Sequence, residues 1–244
     1  NISASTSSVV KGETLVDTAL NLQAMAPDAI VIRHGSSGAP HQIAKILKAG
    51  VINAGDGAHE HPTQALLDMY TLWRTQGKIE DVNVVIASAD LIAARTGHSM
   101  AYGLARLGAN VTLASPKSNR TPATVMEKVN SANGNVKEVF DLDQDSFNEL
   151  ISETDLVYLP GCSAPKGAEA EAFKKIMDSY YVRSETLEKV RQEQGRTICV
   201  THTLPRRPGE MDLRIDTTPS QQYFEAITYS VSIRMAIVAS ILGN

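Results

Sequence analysis

Only two cysteines, Cys162 and Cys199, occur in 244 residues, and neither has the close partner that a metal knuckle or redox motif needs. A reducing cytoplasm is the expected setting, with no disulfide framework. No apolar run approaches the length of a membrane span. The first residues, Asn1-Ile-Ser-Ala-Ser-Thr-Ser-Ser8, have neither the charged nor the apolar region of a secretion signal. Excess charge is missing too: 27 acidic against 23 basic residues leave −4, which gives no footprint for nucleic acid or an anionic membrane. An anionic small ligand would have to be met by local clusters of Arg, Lys and His. The chain also lacks a Gly-x-Gly-x-x-Gly turn after a strand, a Gly-x4-Gly-Lys-Ser/Thr phosphate loop and a Gly-x-Ser-x-Gly elbow. Dinucleotide binding, phosphate-loop nucleotide hydrolysis and serine hydrolysis lose their signatures. What remains is polar stabilisation with no cofactor and no covalent nucleophile.

What is present is an ordinary globular balance, 43% hydrophobic and 20% charged, enough for one large or two modest domains. Short β-branched runs alternate with amphipathic stretches. The pattern predicts strands at 29–33, 51–53, 82–88, 110–115, 155–159 and 197–202. It predicts helices at 13–25, 40–48, 62–76, 96–107, 122–133, 146–153, 184–193 and 221–242. This is α/β architecture: two lobes, each a parallel sheet covered by helices, with a site between them. The polar break at 76–81 separates a first lobe, 1–76, from a second, 77–225. The apolar helix at 226–244 returns to the first. Residues 161–167 and 206–216 read as polar loops.

The most informative run is Asn53-Ala-Gly-Asp-Gly-Ala-His-Glu-His-Pro-Thr-Gln64. A tight Gly-Asp-Gly turn is followed by Pro62 at the first helical position, where a missing N–H costs nothing. His61 and Gln64 then stand at a helix N-terminus, whose free N–H groups and dipole favour an oxyanion or a polarised carbonyl. A loop and a helix start would explain the turn alone; the coincidence of turn, His and helix start points to a site. Ligands in open α/β sheets bind at the carboxyl ends of strands. Those ends carry Arg33-His34, the His61–Gln64 turn, Asp90 to Arg95 and His98, and His202-Thr-Leu-Pro-Arg-Arg207. Positive charge at four strand ends of an acidic chain suggests a phosphate- or carboxylate-bearing substrate. His59 and His61 with Asp56 and Glu60 fit no common zinc spacing, so no metal is expected.

At these residues the chain resembles the aspartate/ornithine carbamoyltransferase family, and most of all its aspartate branch. The matching pieces are Lys11-Gly-Glu-Thr-Leu-Val-Asp-Thr18, Asp28-Ala-Ile-Val-Ile-Arg-His34, Asn53-Ala-Gly-Asp-Gly57 with His61-Pro-Thr-Gln64, Arg95-Thr-Gly-His-Ser99 and His202-Thr-Leu-Pro-Arg206. Tyr223-Phe and Arg234-Met-Ala resemble the family's C-terminal helix. The resemblance implies two α/β lobes, a cytoplasmic homotrimer with shared active sites, and transfer of a carbamoyl group from carbamoyl phosphate to an amino acid amine. With aspartate as acceptor this is a step of pyrimidine biosynthesis. By the same resemblance Arg33 binds carbamoyl phosphate, His61 meets the carbamoyl oxygen and Gln64 the carbamoyl nitrogen. The carbonyls at Leu204 and Pro205 receive amino groups, and Arg95 holds an acceptor carboxylate. His98, His202 and Arg206 complete the substrate-binding set, while Ser7 and Lys11 lie on a loop that reaches a neighbouring subunit's site.

Two departures stand out. The family's Ser-Thr-x-Thr-Arg phosphate loop precedes the Lys11 loop, and Ser3-Ala-Ser-Thr-Ser-Ser8 is not that motif; a segment upstream is the expectation. The Arg-x-Gln pair with which aspartate enzymes grip the aspartate carboxylate corresponds here to Gly161 and Ser163. The donor half is thus expected to be kept and the acceptor half rebuilt, with Lys166, Arg206 or Arg207 as a substitute cation. Cys162 is expected to be a buried structural residue. The competing reading is a non-catalytic scaffold or regulatory subunit of the same family.

Overall fold

The computed structural model describes residues 13–132, 134–162, 165 and 169–243. Two parallel sheets form the α/β frame. The first pairs β1 (Ala29–His34) with β2 (Gly50–Asp56). Around it lie α1 (Leu15–Gln23), α2 (Ala39–Ala44) and α3 (Pro62–Gln76). The second holds β3 (Asn83–Ala87), β4 (Asn110–Ser115), β5 (Asn135–Phe140), β6 (Leu156–Leu159) and β7 (Cys199–His202) in the order β5-β4-β3-β6-β7. Its helices are α4 (Arg95–Arg106), α5 (Ala123–Asn130), α6 (Gln144–Ser152), α7 (Ala170–Ser179) and α8 (Ser184–Gln194). The final helix, α9 (Tyr223–Leu242), packs on α3 and reaches both sheets.

The central strands are apolar because both faces are covered. Val84, Ile86, Leu156 and Tyr158 sit in one buried layer with Met100 and Leu104 of α4. Val85, Val157 and Val200 face the other layer with Phe147, Ile151 and Tyr223. Strand order reverses between β3 and β6, so the crossovers leaving these neighbours run in opposite directions and open a crevice at their carboxyl ends. Residues 88–95 and 160–162 are delivered there.

Two elements went unread in the sequence. β5 carries Lys137 and Glu138 side by side between Val136 and Val139 at the sheet edge, and α7 starts without a side-chain cap. The expectation that no apolar run approaches a membrane span is corrected by α9. Its 20 residues are long and apolar enough by length and composition, with a mean hydropathy of 1.4. One face of it docks: Tyr229 packs edge-on against Tyr70 of α3 at 5.3 Å. A methyl at Gly50 of β2 would collide with Ile241. Val231 and Met235 remain exposed.

Candidate active site

The carboxyl ends of β1, β2, β3 and β6 and the segment after β7 surround a cavity of about 400 Å³. It is lined by Arg33, His61, Gln64, Asp90, Ala93, Ala94, Arg95, Thr96, Pro160, Gly161, Cys162, Thr203, Leu204, Pro205, Arg207 and Arg234. Four arginines face a single carboxylate among these residues, and Asp90 Oδ1 is already engaged by the Ile92 amide at 2.9 Å. The N-termini of α3 and α4 both open on the cavity through His61 and Gln64, and through Arg95 and Thr96. Two helix dipoles and four guanidinium groups make it a site for an anion.

His61 is the residue before α3 and does not spend its ring on capping the helix. Its amide donates to Ser99 Oγ at 3.0 Å, and the Thr63 hydroxyl flanks Nδ1 at 3.4 Å. Burial, with Arg95, Arg33 and Arg234 nearby, pulls its pKa down to about 4. The imidazole is therefore neutral at pH 7 and has one N–H to give. Arg95 is drawn across by the Gly57 carbonyl, 3.2 Å from its Nη1; burial and Arg33 lower its pKa. Gly55 lies under both groups at φ +116°, and a Cβ there would stand 3.1 Å from Arg95 Cζ and 3.2 Å from His61 Cδ2. Only glycine gives this turn both its backbone angle and its room.

The opposite rim is organised by Glu210. Its Oε2 accepts His202 Nε2–H at 2.9 Å and the Arg207 amide at 2.6 Å, while Oε1 accepts the Cys162 amide at 3.0 Å. Burial pushes this carboxyl up, but the bonds from His202, Arg207 and Cys162 outweigh it and hold its pKa below the ordinary value. The Leu204–Pro205 peptide bond is cis. Thr203 Oγ1 ties this segment to the Pro160 carbonyl at 2.9 Å.

Of the residues singled out in the sequence, Arg33, His61, Gln64, Arg95, Leu204 and Pro205 come together on this cavity. Three others are placed elsewhere, which corrects their assignment to substrate. His98 is buried, with Nδ1 2.9 Å from the His59 carbonyl and Nε2 2.7 Å from the Leu91 carbonyl. It ties the turn before α3 to the loop before α4. The His202 ring is fully enclosed and accepts the Leu204 amide on Nδ1 at 2.8 Å, so it shapes the Leu204–Pro205 segment from behind. Arg206 turns away to a bidentate pair with Asp216, over the rings of Tyr223 and Phe224; the neighbouring Arg207 lines the cavity instead. Ser7, Lys11, Ser163 and Lys166 lie outside the described residues. Cys162 lines the cavity, half-buried rather than enclosed. Arg234 and Thr96 were not anticipated as lining residues. The signal for Arg234 was its place as one of two charged residues in α9.

Among the described residues, His41, Asp56 and His59 bring potential metal-ligand atoms within 4.8 Å of one another. Asp56 is already saturated by the Gly38, Glu60, Asn53 and His59 donors. The trio therefore reads as turn architecture.

The family models for the aspartate/ornithine carbamoyltransferase carbamoyl-P binding domain and Asp/Orn binding domain match residues 1–74 and 80–241. The chain belongs to the aspartate/ornithine carbamoyltransferase family. It is 63% identical over 238 residues to the ureidoglycine carbamoyltransferase of Rubrobacter xylanophilus, covering 97% of this chain and 70% of that one. It is 37% identical to the aspartate carbamoyltransferase catalytic subunit of Methanothermobacter thermautotrophicus, covering 97% and 72%. The Trypanosoma cruzi aspartate transcarbamoylase solved with carbamoyl aspartate and phosphate superposes with a TM-score of 0.81 at 27% identity, covering 98% and 73%. These relatives are enzymes of carbamoyl transfer, and so is this protein.

Proposed function

We propose that this carbamoyltransferase uses carbamoyl phosphate as donor and carbamoylates the amine of ureidoglycine rather than that of aspartate. Gly161 carries the reading. Where aspartate enzymes are expected to hold an Arg, the cavity wall here is Gly161 at φ +74°, followed by the neutral Cys162. Aspartate brings two carboxylates, and ureidoglycine brings one plus a neutral ureido group. An aspartate side-chain carboxylate left unpaired in this cavity would cost about 2–5 kcal/mol, whereas a ureido group asks only for neutral hydrogen-bond partners. At that wall Thr203 Oγ1 gives its hydrogen to the Pro160 carbonyl and keeps its lone pairs to accept a ureido N–H. The 63% identity to a protein named ureidoglycine carbamoyltransferase supports the same choice.

In this reading Arg33 and the α3 and α4 N-termini hold the donor phosphate. The acceptor amine nitrogen attacks the carbamoyl carbon, and His61 donates to the carbamoyl oxygen as it gains negative charge. The carbon–oxygen bond to phosphate then breaks, the electron pair leaves on phosphate, and the attacking nitrogen loses a proton. The Leu204 and Pro205 carbonyls accept from amino groups, and Arg95, with Arg207 and Arg234 on the same cavity, pairs with the single acceptor carboxylate. Ser7 and Lys11 would complete the site from a neighbouring subunit of a homotrimer.

Phosphate release should be measured with ureidoglycine, aspartate and ornithine as acceptors. A kcat/KM for ureidoglycine about 100-fold above that for aspartate is expected from the lost pairing. Equal or better turnover with aspartate overturns the acceptor assignment. Silence with every acceptor, without binding of carbamoyl phosphate, favours the scaffold reading.

A further inference from the structure

Gln64 and Asp68 stand one turn apart on α3, so their side chains share a face. Gln64 Nε2 donates to Asp68 Oδ1 at 3.0 Å, and Asp68 Oδ2 accepts the Tyr158 hydroxyl at 2.8 Å. Tyr158 comes from β6, in the other sheet, and is fully buried; Asp68 is 1% exposed. A carboxylate this deep next to a cavity-lining amide has no part in the chemistry described above. An amide has two polar ends. With its NH2 turned onto Asp68, its carbonyl Oε1 is the end left for the cavity that Gln64 lines. An ionised carboxylate only accepts, so it excludes the flipped amide; a neutral acid or a carboxamide permits it.

We propose that Asp68 is a positioning residue that fixes the polarity of Gln64, holding the amide NH2 so that Oε1 accepts an N–H of the carbamoyl donor, with Tyr158 locking the carboxylate across the lobe boundary. The proposal rests on carbamoyl phosphate being the donor. The groups around Asp68 are few: Gln64 on its own helix, Tyr158 from β6, and the charge of Arg234 from α9. Thr96 of α4 also bonds the Tyr158 hydroxyl. Burial pushes the Asp68 carboxyl up to about 7, against the bonds from Tyr158 and Gln64. Above that pH the carboxylate pins the amide. Below it, the acid proton can be given to Gln64 Oε1, and the amide can turn its NH2 toward another NH2. Donor binding is therefore full near pH 8 and declines as the pH falls through about 7.

The test measures the Kd of carbamoyl phosphate from pH 6 to pH 8.5 for the wild type, D68N, Q64A, D68N/Q64A and Y158F, with melting temperatures alongside. The wild-type Kd should rise about fivefold or more from pH 8 to pH 6. D68N should bind about tenfold more weakly at pH 8, without the pH limb, while melting no lower than the wild type, because a buried charge has gone. In the Q64A background the effect of D68N should vanish. Y158F removes a donor from the carboxylate and should move the limb to higher pH; it carries the test alone if D68N does not fold. A D68N protein with wild-type affinity and limb overturns the proposal. So does a D68N effect that persists undiminished in Q64A, or an unmoved limb in Y158F. Absence of binding by the wild type overturns the donor reading and this inference with it.

Discussion

The neutrality of His61 is a measurable consequence of the arginines around it. Its pKa falls from an ordinary 6.5 to about 4 through burial and three nearby cations, Arg95, Arg33 and Arg234. At pH 7 roughly one ring in a thousand is charged. The full shift would correspond to roughly 3 kcal/mol. Because the cavity is open to water, screening reduces this to about 1–2 kcal/mol. The sign follows from proton counting: between pH 4 and 6.5 the unfolded chain binds the proton and the native site does not. Stability from this group is therefore present above pH 6.5 and lost as the pH falls to 4. The assay is an NMR titration of the ring protons of the six histidines, with H61N to assign the signal. The wild-type ring should titrate near 4, and Arg95→Met should raise that midpoint, because one of the opposing charges is gone. At saturating donor, kcat should show no limb near 6.5 from this residue. His61→Ala should lower kcat by about 10²–10³-fold, as loss of one oxyanion donor does. A His61 midpoint at or above 6.5 in the wild type would refute the reasoning.

Gly55→Ala adds a methyl under both Arg95 and His61 and forces φ +116° on a side-chain residue. A stability loss of about 1–3 kcal/mol and a kcat/KM loss on the order of 10²-fold are expected from denaturant unfolding and initial rates; unchanged rates would show that the turn tolerates displacement. Cys162, pushed up to about 12 by burial and Glu210, should react with iodoacetamide at pH 8 about 10³-fold more slowly than a free thiol of pKa near 9. Mass spectrometry showing modification at the rate of a small-molecule thiol would contradict that environment.

The run from Asn53 to Gln64 was legible because its signals are local. Pro62 marks the first turn of α3, and the helix spans Pro62–Gln76 as its apolar spacing indicates. The two-lobed α/β frame was legible because its strands are short apolar runs between polar turns. β5 was not, because an edge strand needs no continuous apolar face and Lys137 and Glu138 break its pattern. Sequence spacing placed His98 near the site but could not say which way its ring faces. Two backbone carbonyls, from residues 39 and 7 positions away, decide that. Arg206 and Arg207 are adjacent and chemically alike. Asp216 and Tyr223, brought in by the later fold, select which of the two leaves the cavity. Asp68 was invisible as more than a helix residue until β6 set Tyr158 against it.

The first turns of α4 belong to the second sheet's crossover, yet they are stitched to the turn of the first sheet. Arg95 reaches the Gly57 carbonyl, Ser99 accepts from His61, and His98 holds the His59 carbonyl. Mechanically this seam is the spine of a book. His61, proposed to meet the donor, lies in this seam, bonded through its amide to Ser99. At the fore-edge Glu210 holds the Cys162 and Arg207 amides, and Thr96 of α4 reaches the Pro160 carbonyl. Both edges of the cavity are thus bound to the start of α4, so the two sides of the proposed site share one frame.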